Sequence, residues 1–245
     1  MTPDSMPPAS RMIHEEGVLI DNFLLVEAGR LRETETVTLL SSGAYPCRNI
    51  AQNMADLRAM IAANEKGSQE LRRMVQHYGL KVVHAYMQHV QDYAEACVRR
   101  VIERLHDGEF EYAMDHGAVI RVAVRVDKIK RSAVIDFTGT SAQLDNNFNA
   151  PTAVCLAAVL HVLRSLVNED IPLNAGCMRP LEVIIPAGSM LNPRFPAAVA
   201  AGNVETSQCV TDALYGGTAI NTMKPSPADP APVTALTEPT SCRPI

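Results

Sequence analysis

The chain has no tryptophan, and aromatic residues make up only 4% of its 245 residues. Nucleic-acid-binding surfaces stack bases on aromatic rings and carry an excess of positive charge. The net charge of −5 provides no such excess, and the short basic runs lie among acids on predicted helices, as solvated helix faces do. The composition therefore argues against a nucleic-acid partner.

Cysteine pairs of the C-x-x-C type are absent, and the six cysteines are scattered singly along the chain. Cys97 and Cys155 fall on apolar faces of predicted helices, which favours buried, reduced thiols in a cytoplasmic protein. The first residues lack the charged-then-apolar order of a signal peptide. The most apolar predicted helix, 152–167, contains His161 and Arg164 and is too short to span a bilayer, so we expect no membrane partner.

Sequence signatures of nucleotide and hydrolase sites are also missing. The chain contains no G-x-x-x-x-G-K-[ST], G-x-G-x-x-G, G-x-S-x-G or H-E-x-x-H. His84 and His89 are five residues apart on a predicted helix, whereas a two-histidine metal face needs a spacing of four. We therefore predict that the residues of this chain form no metal site.

Apolar residues at helical spacing predict two long helices. The first begins after Asn49 as N-cap and ends at Gly79, and the second runs from Lys81 to about Leu105. Together they predict an antiparallel hairpin over residues 48–106. Upstream, residues 16–29 predict one strand or a short strand pair, and a helix signal follows within residues 30–43.

A different pattern begins after the second helix. Alternating apolar residues predict an antiparallel meander of three strands: Glu109–Met114, Val119–Val126 and Ser132–Phe137. A helix at 152–167, buried on most sides, and a strand at Leu181–Ile185 follow. The last predicted helix starts at Asn203 as N-cap and is ended by Gly216.

The predicted fold class is α+β, with a helical hairpin, an antiparallel β meander and a mixed α/β, loop-rich part. We assign residues 1–216 to one domain, in which 48–106 is the hairpin and 107–216 the meander and loop-rich core. Residues 217–245 contain six of the sixteen prolines and no sustained period, which predicts a disordered tail.

The stretch from Asp136 to Gln208 alternates three polar loops with apolar elements, and loops held on a scaffold often carry function. The first loop is 136–151, the second is 170–180 and the third is 192–208. One interpretation is that their polar residues serve turns and caps; the other is that they converge on a polar small molecule. Spacing does not decide between the two. The start of the last helix also offers free N–H groups to an anion. The polar residues are Thr138, Thr140, Ser141, Asn146, Asn147, Asn149, Asn174, Asn203, Thr206, Ser207 and Gln208.

Several long segments of the chain resemble one family. They include FTGTSAQLDNNFNAP at 137–151, DIPLNAGCMRPLEVIIPAGSMLNP at 170–193 and PAAVAAGNVETSQ at 196–208. With EEGVLI at 15–20 and NMADLRAMIAANEKG at 53–67, they resemble the hydantoinase B/5-oxoprolinase family in the same order. The resemblance covers roughly Ser5 to Gly216 and is strongest to the hydantoinase B part of bacterial ATP-dependent 5-oxoprolinases, with N-methylhydantoinase B subunits as the alternative.

The resemblance implies an enzyme of two parts that opens the lactam of 5-oxo-L-proline to L-glutamate. A hydantoinase A-type part, outside this chain, would bind ATP and activate the ring amide, and the hydantoinase B part would complete the hydrolysis of the small cyclic amide. Amide and hydroxyl donors could then stabilise substrate or oxyanion. By this analogy the catalytic candidates are Asn203, Thr206, Ser207 and Gln208. The substrate-binding candidates are Thr138, Thr140, Ser141, Asn147, Asn149 and Asn174.

The sequence departs from the family pattern at both ends. The family's segment with motifs resembling divalent-metal ligands precedes the equivalent of Ser5, and its glycine-rich region follows the equivalent of Gly216. We therefore expect a fragment that is inactive alone but belongs to an oligomeric enzyme. An inactive fragment that acts only as an interaction module, and a binding module whose polar loops are merely structural, are the alternatives.

Overall fold

Short elements open the computed structural model, which describes residues 7–167 and 169–218. Strands β1 (Val26–Glu27) and β2 (Arg30–Leu31) pair antiparallel. The prediction for residues 16–29 holds only in part, because a short strand pair forms but begins at residue 26 and has its second strand at residues 30–31. Helix α1 (Glu33–Leu40) confirms the helix signal that follows.

Two long helices, α2 (Ile50–Tyr78) and α3 (Leu80–Ile102), confirm the next prediction. The Asn49 side chain accepts a hydrogen bond from the Gln52 N–H at 3.1 Å, as an N-cap does. Gly79 joins the helices with a φ of +84°, a conformation that side chains disfavour. Helix α3 buries five residues, whereas α2 buries only Met54, so most of α2 lies at the surface.

A four-stranded sheet forms the centre of the described part. Its strands are β3 (Gly108–Ala113), β4 (Val119–Asp127), β5 (Ser132–Asp136) and β6 (Leu181–Ile184). The first three are antiparallel, which confirms the predicted meander, and β6 pairs parallel with β5. Alternate residues of β4 are fully buried, because successive side chains of a strand point to opposite faces.

Helices α4 (Thr152–Ser165) and α5 (Ser207–Gly217) contribute the rest of the core. The α4 helix buries five residues but leaves Leu156 and His161 exposed, so one of its faces stays open to solvent. Together with the helices and strands above, this arrangement confirms the α+β fold class.

The predicted ends of the last helix are wrong. The backbone is already helical at Gly202–Thr206, in a π-helical turn, so Asn203 lies within it and does not cap it. Gly216 does not stop the helix either, because α5 continues through Gly217. A Cβ at Gly216 would lie 2.4 Å from the Phe110 ring, so this glycine allows the helix to pack closely on β3.

The predicted domain boundary at residue 216 stays a prediction. Gly217 belongs to α5 and Thr218, which is buried, caps it. The remainder of the predicted tail, 219–245, lies outside the described residues. No helix within 7–167 and 169–218 is long and apolar enough to cross a membrane.

The cysteines follow the prediction. Cys97 and Cys155 are buried free thiols, as is Cys177. Burial raises the pKa of Cys155 to about 12, because a thiolate loses its hydration there. The buried thiols therefore behave as small apolar core residues and not as nucleophiles.

Candidate functional site

Asn149 joins two of the three polar loops. Its Nδ2 group donates to the carbonyls of Leu144 (3.0 Å), Asn146 (2.8 Å) and Ala198 (3.1 Å). Its Oδ1 accepts from the Leu144 N–H at 2.8 Å. The side chain is fully buried, and both its Nδ2 group and its Oδ1 have hydrogen-bond partners within the protein. In this structure Asn149 holds residues 144–150 against residue 198.

Thr206 and Asn147 reinforce the same junction. The Thr206 hydroxyl donates to the Phe148 carbonyl at 2.6 Å, and the Asn147 amide donates to the Pro7 carbonyl at 2.7 Å. Both side chains are buried. The first and third loops are therefore fixed to each other and to residues 7–16, the N-terminal segment.

Thr140 and Ser141 bond to the neighbouring strand. The Thr140 hydroxyl accepts from the Arg121 N–H and donates to the Arg121 carbonyl, both at 3.1 Å. The Ser141 hydroxyl accepts from the Val119 N–H at 2.9 Å. These bonds hold the residues that follow β5 against β4. They agree with the interpretation that the polar loop residues serve turns and caps.

Asn174 lies apart from the other candidates, on the second loop. It accepts from the Gly176 N–H at 2.8 Å and donates to the Val90 carbonyl of α3. The same loop is held to α3 by Glu169, which accepts from the Tyr93 hydroxyl at 2.6 Å and raises the pKa of Tyr93 to about 12. The structure therefore places the second loop on α3.

Four candidates lie on or near the surface. Ser207 and Gln208 donate to helix carbonyls one turn back, those of Asn203 and Val204. The side chains of Thr138 and Asn203 are exposed and bond to no other residue within the described part of the chain. The catalytic and substrate-binding roles of all ten candidates stay predictions.

An open cavity of about 220 Å³ lies beside the joined loops. It is bounded by the start of α4, by residues 192–199 and by the N-terminal segment, and none of the ten candidates lines it. Apolar side chains form most of its wall, with three polar ones among them, as in small-molecule sites. The wall consists of Ile13, Pro151, Thr152, Asn192, Pro193, Arg194, Phe195, Ala197 and Val199.

Glu16 fixes one wall of this cavity. Its carboxylate accepts from the N–H groups of Val199 (2.9 and 3.0 Å) and Ala200 (2.8 Å), and from the Ser10 hydroxyl at 3.0 Å. The N–H groups of Val199 and Ala200 lie just upstream of the last helix. The anion that they bind is the Glu16 carboxylate of the same chain. Sequence patterns gave no sign of this role, because residues 16 and 199 are distant in the chain.

We expect substitutions of Glu16 to destabilise the protein. Glu16→Gln should lower the free energy of unfolding by about 1–2 kcal/mol and Glu16→Ala by about 2–3 kcal/mol, since hydrogen bonds to a charged group are lost. Urea denaturation measures both changes. Glu182 is the matched control, because it is exposed and accepts no hydrogen bond within the described residues. Equal losses at positions 16 and 182 would contradict the role of Glu16.

Among the residues that line the cavity, Arg194 is the one that its sequence context singles out. It is the only charged residue between Glu182 and Glu205, in a stretch otherwise made of apolar, glycine, proline and amide-bearing or hydroxyl residues. The predicted site residues are all amides or hydroxyls, so Arg194 is not among them. Within residues 7–167 and 169–218 no group of three or more His, Cys, Asp or Glu side chains could hold a metal ion.

Known proteins are similar in sequence to most of this chain. The profile of the hydantoinase B/oxoprolinase family matches residues 1–237. The 5-oxoprolinase 1 of Arabidopsis thaliana is 43% identical over 238 residues, and the 5-oxoprolinase of Dictyostelium discoideum is 40% identical over 226 residues. Both alignments cover 87% of this chain but only 19% and 17% of those proteins.

A solved structure shows the same fold. The ATP-dependent caprolactamase from Pseudomonas jessenii superposes with a TM-score of 0.70 at 23% identity, over 88% of this chain and 38% of that one. Most of this chain therefore shares one architecture with that protein. The chain belongs to the hydantoinase B/oxoprolinase family, because the family profile matches nearly its whole length, as the sequence segments had indicated.

Proposed function

We propose that this chain is the hydrolytic, hydantoinase B-type part of an ATP-dependent 5-oxoprolinase, which converts 5-oxo-L-proline to L-glutamate. The observation that carries the proposal is the continuous similarity to 5-oxoprolinases along nearly nine-tenths of the chain. The cavity supports it, because mostly apolar walls with a few polar groups suit a small lactam ring.

ATP would act elsewhere. The cavity offers one positive side chain, and a nucleotide triphosphate with its metal ions needs several charged groups around it. The lining of this cavity does not fit that requirement. We therefore assign ATP, and any divalent metal, to segments outside this lining, with ATP on a hydantoinase A-type partner.

The chain's own contribution would be binding and orientation. A lactam is a poor electrophile, and transfer of a phosphoryl group from ATP to its oxygen, with release of ADP, would make the ring carbon electrophilic. Water would then add to that carbon, the C–N bond would break to free the amine, and hydrolysis of the remaining acyl phosphate would release phosphate and the new carboxylate. Asn149 and Thr206 keep the loops beside the cavity rigid. The exposed amides of Asn203 and Gln208 do not line the cavity, so they stay candidates for oxyanion donors through the family resemblance alone. The free thiols described for five cysteines support a cytoplasmic setting, and an oligomeric assembly remains part of the proposal.

The decisive experiment mixes the 245-residue chain with a hydantoinase A-type part of the same family. We expect ATP hydrolysis that depends on 5-oxo-L-proline and releases L-glutamate, and no glutamate from either component alone. Chromatographic glutamate assay and phosphate release measure the two products. Asn203→Ala and Gln208→Ala should reduce glutamate release at least tenfold without shifting the melting temperature, which a purely structural role would not do.

Other outcomes select the alternatives. Preferential ring opening of hydantoins would assign the chain to the N-methylhydantoinase B type. A chain shown by circular dichroism to be folded, which binds the ATP-binding part but yields no product, would be an interaction module without activity. Either result would reject the 5-oxoprolinase proposal.

A further inference from the structure

The cavity wall carries one formal charge. Arg194 is positive, and none of the other eight wall residues is charged. Within the described residues no carboxylate forms an ion pair with Arg194, whereas Arg11, nearby in the N-terminal segment, pairs with Asp145 at 3.2 Å. None of the residues that line the cavity therefore offers a carboxylate to Arg194, which favours a ligand that carries a negative charge.

The backbone of Arg194 is anchored, whereas its guanidinium makes no hydrogen bond or ion pair within the described residues. Its N–H donates to the Gln143 Oε1 at 2.6 Å. Its Nε lies 3.6 Å from the point where a Cβ at Gly188 would be, so the guanidinium rests beside this glycine at the surface. Only side-chain torsions need to change for the guanidinium to meet a ligand, and such rotamer changes are common on binding.

The remaining wall fits a small ring. Pro151, Pro193 and Phe195 offer apolar surfaces, and Thr152 offers a hydroxyl that bonds to no other residue within the described part. The cavity volume of about 220 Å³ leaves room for a five-membered ring with one substituent.

We propose that Arg194 selects cyclic amides that carry a carboxylate on the ring, by pairing its guanidinium with that carboxylate. The inference rests on the proposed function, which supplies the lactam ring as the substrate. It adds the pairing with Arg194, which would distinguish a lactam with a carboxylate from a neutral one. An arginine suits this task because its planar fork can donate two parallel hydrogen bonds to a carboxylate.

The test compares two ligands of the same ring size, 5-oxo-L-proline and 2-pyrrolidinone, which lacks the carboxylate. Isothermal calorimetry measures their binding to the 245-residue chain. We expect the acid to bind more tightly, and Arg194→Ala to weaken it about 10- to 100-fold while changing 2-pyrrolidinone binding less than about twofold. Arg194→Lys should retain part of the preference, because it keeps the charge and loses the fork.

Arg72→Ala is the matched control, since Arg72 is exposed on α2 and does not line the cavity. It should change neither affinity. The inference is overturned if the unaltered chain shows no preference for the acid, including binding to neither ligand, or if Arg194→Ala weakens both ligands equally. A preference for the acid in a chain that releases no glutamate in the coupled assay would reject the proposed hydrolysis and leave the role of Arg194 standing.

Discussion

Replacement of Gly202 by alanine is expected to lower the free energy of unfolding by about 3 kcal/mol or more. Gly202 is buried where the first and third loops meet. An added Cβ would lie 2.3 Å from the carbonyl oxygen of Asn149 and 2.9 Å from the Cα of Ala150. Both obstacles are backbone atoms and cannot rotate away, so the two loops would have to separate. Urea denaturation followed by circular dichroism measures the loss.

A second glycine provides the control for this prediction. Gly67 lies in the middle of α2, and a Cβ there would meet nothing within 4 Å. Gly67→Ala should therefore raise the free energy of unfolding by about 0.5–1 kcal/mol, because alanine favours a helix. Opposite signs for the two substitutions identify the close approach at Gly202 as the cause. A Gly202→Ala change within about 0.5 kcal/mol of zero, the range of surface substitutions, would contradict it.

Asn149→Asp is expected to cost about 3–5 kcal/mol of unfolding free energy at neutral pH, although the side chains have nearly the same shape. The substitution replaces the Nδ2 donor by an oxygen that faces the carbonyls of Leu144, Asn146 and Ala198. A buried carboxylate would then lie among three acceptors with only the Leu144 N–H as donor. Thermal and urea unfolding should both report the loss.

The matched substitution is Asn64→Asp on α2. Asn64 is exposed and accepts or donates no side-chain bond within the described residues, so the same chemical change should stay within about 0.5 kcal/mol. If both substitutions lower the free energy of unfolding by the same small amount, the hydrogen bonds of Asn149 do not hold the two loops together. A large loss at position 149 alone would show that this amide serves the fold, whatever further part it has in the reaction.

Gly202 and Asn149 together explain how the loops can serve a site. The close backbone approach at Gly202 and the hydrogen bonds of the buried Asn149 amide hold the first and third loops together, and Glu16 fixes the neighbouring cavity wall. Residues that bind or orient a small ring need such a rigid support, since displacements of about 1 Å can reduce rates greatly. The polar residues with buried bonds thus supply the support, and exposed ones such as Asn203 remain available to a ligand.

Local pattern was sufficient for most helices and strands. The N-cap at Asn49, the turn at Gly79 and the alternation in β4 act between residues that are close in sequence, so the chain predicts them without a fold. Local pattern predicted the end of α5 wrongly. Gly216 has the identity of a helix terminator, but its surroundings include Phe110, more than a hundred residues away, and they allow the helix to continue.

The sequence by itself determined the fold class, the element order and, through colinear segments, the family. It did not determine which polar side chains are free. Asn149 reaches Ala198 and Glu16 reaches Val199 across long separations in the chain, and such bonds exist only once the elements have packed. Arg194 likewise faces a cavity only because α4, residues 192–199 and the N-terminal segment meet there. The site was decided by tertiary contacts, because a side chain's availability depends on its neighbours in space.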